Sequence, residues 1–187
     1  MTANQEFVDL VYNEVGSELK QHGDFLIKLL EEDDWSFVIK SHALIEASVT
    51  NLLIRRIGEP EMTKFVKRMP LSDSESGKVV LLKDLGLLDS GLRSFIRWYS
   101  ELRNKLVHNL EHIDFQLESH FASLDPNQKK SWKKKVNDII EIPETLEKIF
   151  YSNWKIPLTL CLNKIIGECS FKGGRCEAIR KIQNMRD

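Results

Sequence analysis

The stretch "LRSFIRWYSELRNKLVHNL", from Leu92 to Leu110, has the most regular apolar spacing in this 187-residue chain. Because an α-helix turns once in 3.6 residues, apolar side chains that recur every three or four residues lie on one helical face. The recurring residues are Leu92, Phe95, Ile96, Tyr99, Leu102, Leu106 and Leu110. Asp89 or Ser90, immediately upstream, can cap the first turn. The stretch predicts a long amphipathic helix packed on a core.

The remainder of the chain repeats this helical pattern. Apolar residues at helical spacing predict helices over roughly 4–30, 35–57, 60–66, 76–82 and several segments after 125, with interruptions at His22-Gly23 and Gly173-Gly174. No segment shows convincing alternation of apolar and polar residues, so strands are not expected. The sequence predicts an all-α fold, an antiparallel helical bundle. Residues 1–125 would form the bundle, and residues 126–187 a C-terminal helical extension packed on the same domain.

The composition is that of an ordinary globular protein, with 42% hydrophobic and 29% charged residues and a net charge of −1. The charge is unevenly distributed. Residues 126–187 carry 13 Lys and Arg against 7 Asp and Glu, whereas residues 1–125 carry 14 against 21. A basic C-terminal region can contribute a surface for nucleic acid, although basic helices are also common without one.

Other features favour a cytoplasmic protein. The first residues, "MTANQEFVDL", do not resemble a secretion signal, and no run of about 18 apolar residues predicts a membrane span. Cys161, Cys169 and Cys176 are odd in number and widely spaced, which indicates reduced thiols rather than disulfides. Their spacing also differs from that of zinc sites, so no metal or other cofactor is expected.

Three polar residues, Arg103, Asn104 and His108, interrupt the amphipathic helix near its end. Histidine exchanges protons near neutral pH, and the arginine fork matches phosphate oxygens. Together they suit metal-independent cleavage of an RNA phosphodiester, in which a base activates the 2′-hydroxyl and a cation stabilises the phosphorane. Arg103 and His108, however, are separated by about 140° around one helix. The alternative is a set of ordinary solvated side chains.

The motif "RNKLVH", from Arg103 to His108, resembles the R-N-x-x-x-H signature of the HEPN superfamily. Its surroundings also resemble that family, because "SHALIEASVTNLLIRRIG" is similar to an earlier family helix. In addition, "KVVLLKDLGLLDSGLRSFIRWYSELRNKLVH" is similar to the mannitol-operon-repressor-like branch. The resemblance covers roughly Trp35 to Phe115.

The resemblance implies a helical bundle that dimerises with its signature helices facing each other, and either of two functions. Many members are metal-independent ribonucleases in toxin–antitoxin, phage-defence or RNA-processing systems. Others are non-catalytic regulatory modules, with a regulatory protein or antitoxin as a possible partner. In the ribonuclease case, Arg103 and His108 would be catalytic and Asn104 supporting. Some toxins carry a Tyr two residues after the His, but this chain has Leu110 there. A third alternative is a purely structural dimer.

Two pairs of residues four positions apart, each containing a histidine, are further candidates. His42 and Glu46 are four residues apart, and they either form an interhelical polar pair or support Arg103 and Asn104 from behind. His108 and His112 have the spacing of a zinc-binding pair, but the Glu expected after the first His of a metalloprotease is replaced by Asn109.

The run "KKSWKKK", from Lys129 to Lys135, is the most basic in the chain. Lysines with an interleaved aromatic residue can follow a phosphate backbone and stack a base. We therefore treat Lys129, Lys130, Trp132 and Lys133, together with Lys105 of the signature motif, as candidate nucleic-acid contacts. The alternative is a solvated helix anchored by one tryptophan.

Overall fold

The structure, a computed structural model, describes residues 3–108 and 114–184, with side chains from residue 15 onward. Throughout these ranges the regular structure is helical, so the predicted all-α class is confirmed. The helices are α1 (Ala3–Leu29), α2 (Asp34–Ile57), α3 (Thr63–Arg68), α4 (Lys78–Asp84), α5 (Ser90–Val107), α6 (Leu117–Ser123), α7 (Pro126–Asn137), α8 (Glu144–Phe150) and α9 (Lys155–Asn184), with a 3₁₀ turn at Pro60–Met62.

The helix α2 is the centre of the bundle. Its first turn is capped by the Asp33 carboxylate, which accepts a hydrogen bond from the Ser36 amide, and it ends at Gly58. Gly58 has φ of 77°, a left-handed conformation that favours glycine. The helices α1, α5 and α9 all pack on α2. Ten residues of α2 and twelve of α9 are buried, so these two helices contribute much of the core.

The neighbours of α2 run in both directions. The helix α5 is antiparallel to it, because Ser41 contacts Tyr99 while Trp35 donates to the Leu106 carbonyl. The helix α9 is parallel to α2, since Asp34 and Lys155 pair at the two N-terminal ends. At the other ends, Arg180 donates to a carbonyl in the last turn of α2. The prediction of an antiparallel bundle is therefore only partly correct, because α9 packs on α2 in the parallel direction.

Two predicted interruptions are wrong. The helix α1 continues through His22-Gly23, and α9 continues through Gly173-Gly174 for 30 residues in all. In α9 the glycines serve packing, since a Cβ on Gly173 would come within 2.9 Å of Arg55 Cδ on α2. Both Gly173 and Gly174 are buried. The close approach of α2 and α9 offsets the cost of about 1 kcal/mol that each glycine imposes on a helix.

The signature helix is α5. Asp89 caps it by accepting a hydrogen bond from the Leu92 amide, as the sequence predicts. The helix is described to Val107, and His108 follows as its C-terminal cap with φ of −90° and ψ of −4°. The predicted continuation to Leu110 lies outside the described residues.

One described helix, α2, is long and apolar enough to cross a membrane by length and composition. Half of the relevant window is buried inside the bundle, where its apolar side chains pack against α1, α5 and α9. The expectation that no segment has this composition was therefore too strict, but the position of α2 is that of a core helix.

Candidate functional site

Arg103 and Asn104 form a hydrogen-bonded pair in the last turns of α5. The Arg103 Nη1 donates to Asn104 Oδ1 at 3.0 Å. Arg103 is half-buried and Asn104 is exposed. The Arg103 Nε is buried and lacks a hydrogen-bond partner among the described residues. The amide thus holds one arm of the guanidinium, and the second amino group has no hydrogen-bond partner among the described residues.

His42 of α2 lies behind Arg103 and is only 6% exposed. Its Nε2 is 3.0 Å from Ser100 Oγ, and that hydroxyl donates to the Ile96 carbonyl at 2.8 Å. Because the serine hydrogen is used for the carbonyl, the imidazole must donate to the hydroxyl, which fixes the proton on Nε2. Burial, and next the positive charge of Arg103, lower the pKa of His42 to about 4, against a smaller opposing effect of Glu46. His42 is therefore neutral at physiological pH.

The lowered pKa of His42 predicts a loss of stability in mild acid. The unfolded chain binds a proton near pH 6.5 and the folded chain only near pH 4, so folding is favoured above pH 6.5 and weakens as the pH falls through this window. The loss should approach about 2 to 3 kcal/mol by pH 4. Urea unfolding at a series of pH values measures it. A His42→Gln variant, which keeps a donor near Ser100, should lose most of this dependence; an unchanged slope in the variant would contradict the assignment.

Glu46 pairs with a buried lysine rather than with the signature residues. Its Oε1 accepts from Lys78 Nζ at 2.9 Å, and the Lys78 side chain is 1% exposed whereas that of Glu46 is 42% exposed. Lys78 opens α4, so the pair joins α4 to α2. The sequence-based idea that Glu46 holds Arg103 or Asn104 is therefore not supported. The alternative, in which Glu46 belongs to an interhelical polar pair, describes this residue better.

His108 is exposed at the end of α5, and its backbone amide donates to the Asn104 carbonyl at 3.3 Å. Residues 97, 101, 104 and 108 follow one line along the helix, so His108 shares a surface stripe with Arg97, Glu101 and Asn104. Arg103 lies on the other side, toward α2. The 140° separation expected from the spacing therefore persists within one chain, since α5 is regular up to its cap.

The proposed zinc pair cannot be formed from described residues alone, because His112 lies outside them. Over residues 3–108 and 114–184, no three His, Cys, Asp or Glu side chains are placed to hold a metal ion.

Trp132 is a core residue. It is 7% exposed, and its ring makes edge contacts with Trp98 at 4.9 Å and Trp154 at 5.4 Å between centroids. A base cannot stack on a ring that is covered in this way, so we remove Trp132 from the candidate nucleic-acid contacts. Its position matches the alternative of a tryptophan that anchors α7.

The lysines of this run are mostly engaged with neighbouring groups. Lys129 donates to the Ala122 carbonyl at 2.8 Å, and Lys133 pairs with Glu147 at 3.2 Å while lying over the Tyr151 ring. Lys130 and Lys105 are exposed, and neither has a hydrogen bond or ion pair to another described residue. Of the predicted contact residues, these two are the best placed to meet a phosphate backbone.

Two residues of the site were missed from sequence. Lys78 carries a detectable signal, because a lysine begins the apolar segment "KVVLL" at a position that a helix would bury. Ser100 has no such signal, since a serine inside an amphipathic helix is ordinary. Its importance arises only because α5 places it against His42.

Comparison of the chain with protein-family models, with curated proteins and with solved structures gave no match. Function therefore has to be inferred from the chemistry of the residues themselves.

Proposed function

We propose that this protein is a cytoplasmic, dimeric, HEPN-like endoribonuclease that cleaves RNA without a metal, in a toxin, defence or RNA-processing role. The observation that carries the proposal is the Arg103–Asn104 pair beside an exposed His108 at the same end of α5. Five residues of helix rise about 7.5 Å, so the two groups lie at the same end of α5, although on different sides of it.

Each residue has a distinct part in the proposed reaction. His108 removes the proton of a ribose 2′-hydroxyl, whose oxygen attacks the adjacent phosphorus. The Arg103 guanidinium stabilises the charge that accumulates on the phosphorane oxygens, and Asn104 holds the guanidinium in place. The 5′-oxygen then leaves with a proton from the imidazolium of His108, and the products are a 2′,3′-cyclic phosphate and a 5′-hydroxyl. His42 is buried against Ser100, so it lies near Arg103 without contacting RNA.

Dimerisation would overcome the angular separation of Arg103 and His108. A two-fold axis beside the C-terminal end of α5, between the His108 and Arg103 sides of the helix, places that end next to the same end of a second copy. His108 of one chain can then approach Arg103 of the other across the interface. The stripe suits such an interface because Glu101, Asn104 and His108 are exposed and Arg97 is half-exposed in the single chain.

Incubation of the purified protein with single-stranded RNA in EDTA tests this function. We expect shortened products that end in 2′,3′-cyclic phosphate, identified by mass spectrometry. The matched substrate with 2′-deoxyribose at the cleaved position should remain intact, because it lacks the nucleophile. Cleavage of that deoxy substrate, or activity that requires a divalent metal, would contradict the proposed mechanism.

A regulatory module with the same fold is the second candidate. The observation in its favour is that Asn104 already occupies one arm of Arg103 and that the buried Nε cannot reach a ligand. The same RNA experiment distinguishes the two functions. A regulator would bind RNA or a protein partner stably and leave the RNA intact.

A further inference from the structure

A cleft lies at the opposite end of the bundle from His108. Its walls are the last turn of α2 and the C-terminal half of α9, and the loop between α4 and α5 closes one side. The residues that line it are Arg56, Leu85, Gly86, Leu87, Lys172, Arg175, Cys176 and Ile179. Cations from two helices therefore meet next to an apolar surface.

Two of the three cations are free to bind a ligand. Neither Arg56 nor Arg175 has an ion pair or hydrogen bond to another residue in the described part of the chain. Lys172, in contrast, is held in place, because its Nζ donates to the Leu87 carbonyl at 2.6 Å and pairs with Glu168 at 3.3 Å. The cleft thus combines a fixed ammonium group with two uncommitted guanidinium groups.

The loop between α4 and α5 has a defined backbone conformation beside the cleft. Gly86 has φ of 64°, which favours glycine, and a Cβ at this position would meet nothing within 4 Å. The loop is tied down by hydrogen bonds from the Gly86 amide to the Lys83 carbonyl and from the Leu87 amide to the Leu82 carbonyl. These contacts fix the conformation of the loop that carries Leu85 and Leu87, and the hydrogen bond from Lys172 to the Leu87 carbonyl joins this loop to α9.

The nearby acids do not neutralise the two free arginines. Glu177 pairs with Arg55 at 3.3 Å, and Glu18 pairs with the same arginine at 2.9 Å. Glu168 pairs with Lys172. These carboxylates are committed to other cations, which leaves an excess of positive charge on the cleft.

We propose that this cleft binds the phosphate group of a small organic ligand whose apolar or planar part lies on Leu85, Leu87 and Ile179. Two guanidinium groups on different helices can hold phosphate oxygens in bidentate fashion, and the held ammonium adds a third donor. An apolar wall beside the anion site distinguishes an organic phosphate from inorganic phosphate.

The site is separate from the proposed nuclease site. Leu87 precedes the first residue of α5, and the 18 residues of that helix span about 27 Å to His108. Binding in the cleft can therefore be measured whether or not the protein cleaves RNA.

Titration calorimetry with adenosine 5′-monophosphate, adenosine and inorganic phosphate tests the proposal. We expect the monophosphate to bind, adenosine to show no binding, and inorganic phosphate to bind at least tenfold more weakly than the monophosphate. The double variant Arg56→Gln and Arg175→Gln should lose at least tenfold in affinity for the monophosphate. Both side chains are at the surface, and unchanged urea unfolding would show that the variant folds normally.

The matched control is Lys64→Gln with Lys67→Gln, which removes the same charge from exposed positions on α3. This control should bind the monophosphate as the wild type does. Equal losses in the two double variants would reduce the effect to net charge and overturn the proposal. It is also overturned if no phosphate compound binds the wild type, or if adenosine binds as well as the monophosphate.

Discussion

An Arg103→Ala variant should cleave RNA about 10² to 10³ times more slowly than the wild type under single-turnover conditions. This is the usual loss when one donor that stabilises a charged transition state is removed from an active site. Arg103→Lys should recover only part of the rate, because an ammonium group lacks the planar fork and cannot hold Asn104 and a phosphate oxygen together. His108→Ala should be impaired by about 10² to 10⁴ through loss of proton transfer.

The Arg103→Ala variant has an independent structural readout. Arg103 lies beside His42 and contributes to the lowered pKa of that histidine, so its removal should raise the pKa of His42 in the folded protein and make the loss of stability between pH 6.5 and 4 smaller. His108→Ala should leave the acid transition in place. A folded Arg103→Ala protein with a reduced acid-induced loss of stability and full RNA cleavage would disprove the catalytic role of Arg103.

Mixed dimers test whether the two residues act from different chains. If Arg103 of one chain works with His108 of the other, Arg103→Ala and His108→Ala chains combined should regain one intact site per dimer. Activity should then rise toward half that of the wild type, whereas each variant alone stays inactive. The absence of recovery in a verified mixed dimer would place both residues of a site in the same chain.

A Glu46→Ala variant should lose about 2 kcal/mol of unfolding free energy, because the 1% exposed Lys78 ammonium would be left without its partner. The value is below that of a fully buried pair, since Glu46 is 42% exposed and water reaches its side of the pair. Lys78→Met should cost much less, because methionine fills the buried space and the remaining carboxylate can be hydrated. Urea unfolding of both variants measures this asymmetry.

The comparison of these two substitutions also separates a charge effect from a packing effect. If Lys78→Met destabilises the protein as much as Glu46→Ala, the ion pair itself is stabilising and the burial argument is wrong. The double variant should resemble Lys78→Met alone, since the carboxylate has no further role once the buried charge is gone.

Local signals in the sequence predicted much of the fold. The apolar spacing of α5, the Asp89 cap and the Gly58 stop each act within a few residues, and each is found where the sequence indicates. The glycines of α9 were misinterpreted because local propensity disfavours them, whereas contact with Arg55 of a distant helix favours them. The parallel direction of α9 likewise depends on contacts between residues more than a hundred positions apart.

In the candidate site, too, features set by nearby residues were predicted and contacts between different helices were not. Helical spacing predicted that Arg103 and His108 point in different directions, and the regular helix keeps them apart. Spacing could not show that Arg103 lies against His42, or that Glu46 finds Lys78, because these neighbours come from other helices. Trp132 had an apparent role in binding because its neighbours are lysines, but its burial depends on the aromatic residues contributed by α5, α6 and the turn before α9.

The packing of α9 against both α1 and α2 affects how the chain folds during synthesis. Roughly 100 residues separate the end of α2 from α9, which at ribosomal rates corresponds to a delay of about 5 to 20 seconds. Until α9 emerges, the face of α2 that it covers is exposed, and chaperones or proteases can reach it. A nascent chain that ends before residue 155 would therefore hold the signature helix without the completed bundle. An activity that depends on α2 and α5 together would then be withheld until α9 has been synthesised.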